Sequence, residues 1–219
     1  KDPDSGQVDC SGCVSFIFRA IVREFQANNI EVPDKWNSLF SKLNGEQGAA
    51  GITAFANIAG GLVRANEVKP EEVKPGMIIG LAPIYSGREK SRTAGRFLNI
   101  SHIAMVYYDS TGAYVTESAG KTGVRGKVDI GRYLLNMSNR FALYIGDPFG
   151  IYRGLMSNVK KFDTNGNELD MKQVLAGKVL GVSDGDAFKM VTGSDNASFS
   201  VQGNAARAAM QVGAGAMSS

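Results

Sequence analysis

The feature that most constrains the fold is a change of hydrophobic pattern at the proline-rich segment 68–76. Before this segment, apolar residues recur at helical spacing, and helices are predicted over residues 11–26, 33–43 and 52–65. After it, short apolar or alternating runs of strand length are separated by turn residues. Helices followed by strands indicate an α+β fold, because a parallel α/β sheet would need the two kinds of element to alternate.

The strand-like runs predict an antiparallel sheet of about five strands, with the N-terminal helices packed on it. These strands are expected over residues 77–82, 101–108, 113–117, 124–130 and 140–145. The segment from Asp147 to Gly150 is typical of a domain boundary, so residues 1–149 are predicted to form one domain. Residues 150–219 are predicted to be a C-terminal extension that is partly of low complexity, since Gly, Ser, Ala and Asn dominate from about residue 183.

The composition fits one globular domain with an appendage, since the chain has 219 residues, of which 43% are hydrophobic and 21% charged. A net charge of +3 is too small to indicate a nucleic-acid partner. No apolar run reaches the roughly eighteen residues that cross a bilayer, and no signal peptide opens the sequence. Because the first residue is Lys1, we expect the sequence to be a piece of a longer protein.

The motif that most favours a catalytic function is Asp9-Cys10-Ser11-Gly12, which stands directly before the first predicted helix. Free backbone N–H groups and the positive end of the helix dipole favour a thiolate at such a position, and a thiolate is a nucleophile. Polar and small neighbours suit exposure to a cleft, and Gly12 lets a substrate approach the backbone. The alternative is a buried structural thiol, which is the common fate of free cysteines. Cys13 stands one turn later in an apolar run and is predicted to be such a core residue.

His102 is the only histidine of the chain and begins a predicted strand, where it would lie at an edge of the sheet and face Cys10. A histidine in reach of the thiol would take its proton and later protonate a leaving amine. A third group should hold the imidazole in one tautomer. We expect Glu117 on the neighbouring strand to be that group, with Thr116 or Ser118 as alternatives because the hairpin register is uncertain by one residue.

Cys10 and Cys13 also form a C-x-x-C pair at a helix start, as in thiol–disulfide oxidoreductases. That interpretation predicts a strand directly before the motif, and residues 1–8 do not have a strand pattern. It also gives His102 no task, so it remains the weaker alternative. The turn-like segment 163–167 fails the EF-hand spacing, and neither a metal nor another cofactor is predicted.

Three ordered motifs resemble the NlpC/P60 family of cysteine peptidases and amidases, which has a papain-like fold. Residues 9–12 resemble the nucleophile motif of that family, residues 73–79 its proline–glycine turn into the first strand, and residues 101–107 its histidine strand. The resemblance covers roughly residues 7–147. Two departures are that Met77 replaces the usual aspartate and that Glu117 stands where the family most often has histidine. A third is that little chain precedes Cys10 to supply the aromatic-rich loop of the family.

The resemblance implies hydrolysis of an amide bond in the peptide stem of peptidoglycan through a thioester on Cys10, with the backbone N–H of Cys10 binding the oxyanion. Stem peptides carry carboxylates, so the basic residues of the segment 86–99 are candidates for docking them. Arg92 and Arg96 are predicted to bind substrate, together with Asp9, Ser11 and Gly12. Arg88 and Lys90 belong to the same segment.

A cell-wall hydrolase is expected to be secreted, periplasmic or virion-associated. The alternative to an enzyme is a structural or assembly component of a virion or secretion apparatus that keeps the fold. Residues 150–219 are then a candidate for attachment to a larger assembly.

Overall fold

The computed structural model describes residues 9–32, 48–85, 93–119, 123–150, 156–163 and 165–169. Its helices and strands are α1 (Cys10–Ala27), α2 (Ala49–Gly60), β1 (Leu62–Arg64), β2 (Ile78–Pro83), β3 (His102–Asp109), β4 (Gly112–Ser118), β5 (Val124–Asp129), α3 (Ile130–Ser138) and β6 (Phe141–Gly146). The strands form one six-stranded sheet in the order β1-β6-β2-β3-β4-β5, and all neighbours are antiparallel. The prediction of an α+β fold with an antiparallel sheet is confirmed, with one strand more than expected.

The additional strand β1 lies where the third helix was predicted to continue to residue 65. That part of the prediction is wrong, because Gly61 has a φ of +76° and ends α2. A left-handed residue cannot continue a right-handed helix, and glycine adopts this conformation at little cost. The predicted helix over residues 33–43 lies outside the described residues.

The two faces of the sheet carry separate apolar clusters, and β2 contributes to both because all six of its residues are buried. On one face, α1 and α2 pack over Ile78, Ile103 and Met105. On the other face, α3 packs over a cluster that includes Leu81, Ala104, Val106, Val115 and Leu143. A central strand buried on both sides reads as a continuous apolar run, as the sequence does here.

Helix α1 begins at the residue that the sequence singles out, because Asp9 is its N-cap. The Oδ1 atom of Asp9 accepts hydrogen bonds from the N–H of Gly12 at 2.7 Å and from the hydroxyl of Ser11 at 3.0 Å. The core side is a stripe at four-residue spacing formed by Val14, Phe18 and Val22. This cap and stripe place the thiol of Cys10 in the first turn.

Helix α3 follows β5 directly and was not predicted. Its signals are present in the sequence: Asp129 caps it by accepting a hydrogen bond from the N–H of Arg132 at 2.8 Å. The apolar residues Ile130, Tyr133, Leu134 and Met137 then follow the i, i+3, i+4, i+7 spacing of a helix face. The strand predicted over residues 124–130 takes in the first residue of this helix, and the prediction assigns no element to the residues between 130 and the strand at 140–145.

Described residues after the predicted boundary at 149/150 contact the sheet and α2. Lys160 exchanges two backbone hydrogen bonds with Leu62 in β1, at 2.7 and 2.8 Å. The buried amide of Asn57 in α2 pairs with both backbone groups of Phe162, at 2.9 Å each. We call residues 156–163 the edge segment. None of the helices in the described part of the chain is both long and apolar enough to cross a membrane.

Candidate active site

His102 and Glu117 meet across the hairpin of β3 and β4. The register pairs Val106 with Val115, so even-numbered residues of β3 share a face with odd-numbered residues of β4. His102 and Glu117 therefore lie on the same face, and their Nε2 and Oε2 atoms are 2.7 Å apart. Thr116, the first alternative, pairs with Met105 and lies on the opposite face. The other alternative, Ser118, is buried.

Glu117 is buried, with only 2% of its surface exposed, and its carboxylate forms hydrogen bonds with two side chains. The hydroxyl of Tyr133 on α3 donates a hydrogen bond to the Oε2 atom at 2.6 Å, the same oxygen that contacts His102. Burial disfavours the carboxylate, but the hydrogen bonds from His102 and Tyr133 outweigh it and lower the pKa of Glu117 below its ordinary value. Glu117 is therefore an anion at neutral pH.

Cys10 approaches the same imidazole from the first turn of α1. Burial disfavours the imidazolium, but interactions with Cys10 and then with Glu117 outweigh it and raise the pKa of His102 from 6.5 to about 9. Because Nε2 contacts Glu117, Nδ1 is the ring nitrogen left for Cys10. The structure thus brings together the three residues for which the sequence predicts catalytic roles, and those roles stay predictions.

A cleft of about 460 Å³ opens over Cys10, between the first turns of α1 and α2 and the loop before β3. Asp9, Ser11 and Arg96 line it together with Cys10. Gly12, by contrast, is buried in α1, and its N–H group serves the Asp9 cap. His102 follows the lining residue Ser101 and keeps 22% of its side chain exposed. Arg88, Lys90 and Arg92 lie outside the described residues.

Arg96 is exposed, and no described residue forms an ion pair with it. Its guanidinium is therefore a cation on the cleft wall that is open to an anionic ligand. Within the described part of the chain, no group of three or more His, Cys, Asp or Glu side chains is arranged to hold a metal ion.

The two cysteines have different surroundings. Cys10 is half-buried at the cleft, whereas Cys13 is only 7% exposed and faces the core. Burial and the nearby Cys10 raise the pKa of the Cys13 thiol, which keeps it protonated and poorly reactive. The prediction that Cys13 is a core residue is confirmed.

Two backbone N–H groups at the head of α1 are available to a ligand. The N–H of Gly12 bonds to the Asp9 side chain, and the N–H of Cys13 bonds to the Asp9 carbonyl at 2.9 Å. No described residue accepts a hydrogen bond from the N–H of Cys10 or Ser11, as expected for the first turn of a helix. These groups lie beside the thiol, where an oxyanion would form.

Tyr133 is the site residue that the sequence did not predict. Its signal was the apolar spacing of α3, which places it on the buried face of that helix. The arrangement as a whole is a thiol, an imidazole and an anionic carboxylate in a row, with the thiol at a cleft. Comparison of the chain with protein-family models, with curated proteins and with solved structures found no match.

Proposed function

We propose that this protein is a cysteine amidase of the NlpC/P60 type, with a papain-like fold, that cleaves an amide bond in the peptide stem of peptidoglycan. The observation that carries the proposal is the row formed by Cys10, His102 and Glu117 beside an open cleft. A thiol whose imidazole is oriented by a third group is the usual arrangement for acyl transfer through a thioester. The order of the three motifs along the chain agrees with it.

Acylation depends on the positive charge of the His102 imidazolium. With a pKa of about 9, His102 is an imidazolium at neutral pH and stabilises negative charge on the neighbouring sulfur. The sulfur of Cys10 attacks the amide carbon and forms the C–S bond. The C–N bond then breaks, and Nδ1 of His102 passes to the leaving amine the proton that it took from the Cys10 thiol. Glu117 stays ionised and holds Nε2–H throughout.

Deacylation returns the enzyme to its starting state. Neutral His102 takes a proton from water, the hydroxide forms a C–O bond to the thioester carbon, and the C–S bond breaks. The free N–H of Cys10, and that of Ser11 beside it, would donate hydrogen bonds to the oxyanion in both steps. The products are an amine and a carboxylic acid.

The substrate class rests on the motif resemblance and on the charge of the cleft wall. Peptide stems of peptidoglycan carry free carboxylates, and Arg96 presents at the cleft a guanidinium that forms no ion pair with a described residue. Such a substrate is met outside the cytoplasm, so we propose a secreted, periplasmic or virion-associated protein. Residues 150–219 are proposed to attach it to a larger assembly.

The test is the release of new amino groups from purified sacculi by the wild type, by Cys10→Ala and by His102→Ala. We expect release by the wild type and none by the two variants, because the first lacks the nucleophile and the second lacks the proton donor. Release that survives both substitutions contradicts the mechanism. A wild type that releases no amino groups contradicts the proposed activity and favours a non-enzymatic role.

A further inference from the structure

Helix α3 places one side chain, and only one, fully in the core. Of its nine residues, only Tyr133 is buried, with 2% of its surface exposed. A buried hydroxyl is unfavourable unless it forms a hydrogen bond, and phenylalanine would fill the same apolar space without that requirement. The tyrosine therefore calls for an explanation beyond packing.

The hydroxyl of Tyr133 donates its hydrogen bond to the carboxylate that orients His102. It donates to Oε2 of Glu117 at 2.6 Å, and Nε2 of His102 contacts the same oxygen at 2.7 Å. Burial and the adjacent Glu117 hold the pKa of Tyr133 far above its ordinary value, so the group remains a donor. No other hydrogen bond from a described residue reaches the side chain of Glu117.

We propose that Tyr133 is a positioning residue: its hydroxyl fixes Glu117 as an oriented anion, so that His102 keeps its proton on Nε2 and presents Nδ1 to Cys10. The inference deepens the proposed function and rests on it for its catalytic meaning. The hydrogen-bond chain itself runs from α3 through β4 and β3 to the head of α1. Tyr133 and His102 meet at one oxygen atom of Glu117.

The only histidine of the chain is a built-in reporter for this role. Its ring resonance can be followed by NMR against pH without substrate and without resonance assignment. A neighbouring carboxylate that titrates adds a second inflection at low pH to the same curve. The two-bond proton–nitrogen correlations of the neutral ring, recorded above its titration, show which nitrogen carries the proton.

The decisive comparison is the wild type against Tyr133→Phe, with Tyr144→Phe as the matched control. Tyr144 is a half-buried tyrosine of β6 whose hydroxyl accepts a hydrogen bond from Arg64 at 2.8 Å. Loss of a donor to a charged acceptor should raise the low-pH inflection of Glu117 by about one to two pH units. We expect this shift in Tyr133→Phe, together with a mixture of ring tautomers, and neither change in Tyr144→Phe.

An inflection and a tautomer that stay at their wild-type positions in Tyr133→Phe overturn the positioning role. If that variant does not fold, the wild type alone decides: a single Nε2–H tautomer supports the role, and a mixture of tautomers overturns it. With folded Tyr133→Phe we further expect kcat to fall while KM stays constant, because the hydroxyl does not line the cleft.

The outcomes separate this inference from the proposed function. If the wild type has no amidase activity but Tyr133→Phe changes the inflection and the tautomer of His102, the proposed function is contradicted and the hydrogen-bond chain is supported. If the wild type is active but Tyr133→Phe leaves the inflection and the tautomer of His102 unchanged, only the positioning role is contradicted.

Discussion

Glu117 contacts His102 through Oε2 at 2.7 Å, across neighbouring strands of a single hairpin. The turn between Asp109 and Gly112 fixes the register, and a slip of one residue would turn Glu117 to the opposite face of the sheet. The contact between these two side chains is therefore set by local chain geometry, whereas Cys10 comes from a helix about 90 residues earlier in the sequence.

Replacing Glu117 by glutamine should remove the charge but keep the shape of the side chain. Because the anion stabilises the imidazolium, we expect the pKa of His102 to fall and kcat to drop about a hundredfold or more. NMR titration of the sole histidine and steady-state kinetics measure the two effects. Glu72→Gln is the control, since Glu72 is a carboxylate that also accepts hydrogen bonds, from Ser157, but lies away from the site. Equal kinetics for the two variants would contradict a role for Glu117.

The stability of the fold should depend on pH through His102. Its folded pKa of about 9 lies above the ordinary value of 6.5, so its contribution is fully present below pH 6.5 and is lost as pH rises through about 9. The full shift corresponds to about 3 kcal/mol at most. Urea unfolding at pH 6 and pH 10 measures it. The wild type should lose more free energy of unfolding than His102→Gln does, and parallel losses would contradict the raised pKa.

Charge reversal at Arg96 should weaken substrate binding. For Arg96→Glu we expect KM to rise roughly three- to tenfold, as for the loss of an exposed ion pair, with a smaller change in kcat. The dependence of KM on salt should weaken as well. Arg132→Glu makes the same change in net charge on the exposed surface of α3 and should leave KM unaltered. If both variants behave like the wild type, the docking role of Arg96 is wrong.

Cys13→Ala separates the hydrolase from the C-x-x-C oxidoreductase. A hydrolase should keep most of its activity, because Cys13 faces the core and not the cleft. The loss of the buried sulfur should cost about 1 kcal/mol in the free energy of unfolding. A thiol oxidoreductase would instead lose all activity. Amine release and insulin reduction, measured on the same preparation, distinguish the two.

The edge segment should contribute to the stability of the domain through Asn57. Asn57→Ala leaves both backbone groups of Phe162 without their partner, and we expect a loss of about 2–4 kcal/mol in urea unfolding. Asn158→Ala removes a similar hydrogen bond, to the carbonyl of Glu67, from an exposed position. That control should lose less than about 1 kcal/mol. A small loss in both variants would show that the segment contributes little.

The sequence was sufficient for the elements that carry strong local signals. Asp9 and the apolar run after it predicted α1, and two strand-like runs on either side of the turn residues 109–112 predicted the hairpin of β3 and β4. The register of the hairpin, and with it the choice between Glu117 and Thr116, stayed open in the sequence. The turn before β2 was also readable, and its Gly76 has a positive φ of +83°. These signals depend on neighbours close in the chain.

The features that the sequence did not reveal depend on contacts between distant residues. β1 is a strand only because β6 and the edge segment pair with it, and three residues have no pattern of their own. The contact of Tyr133 with Glu117 arises from the way in which α3 packs on the sheet. No spacing in the sequence encodes such a contact.

The most direct test of the central claim is the intact mass of the enzyme after acid quenching during turnover of a soluble stem peptide. We expect a wild-type species that carries the acyl fragment of the peptide as a thioester on Cys10, and no such species in Cys10→Ala. Mapping the adduct by proteolysis assigns the cysteine, with Cys13 as the internal control. Turnover that continues in Cys10→Ala, or an adduct on a residue other than Cys10, would contradict the account.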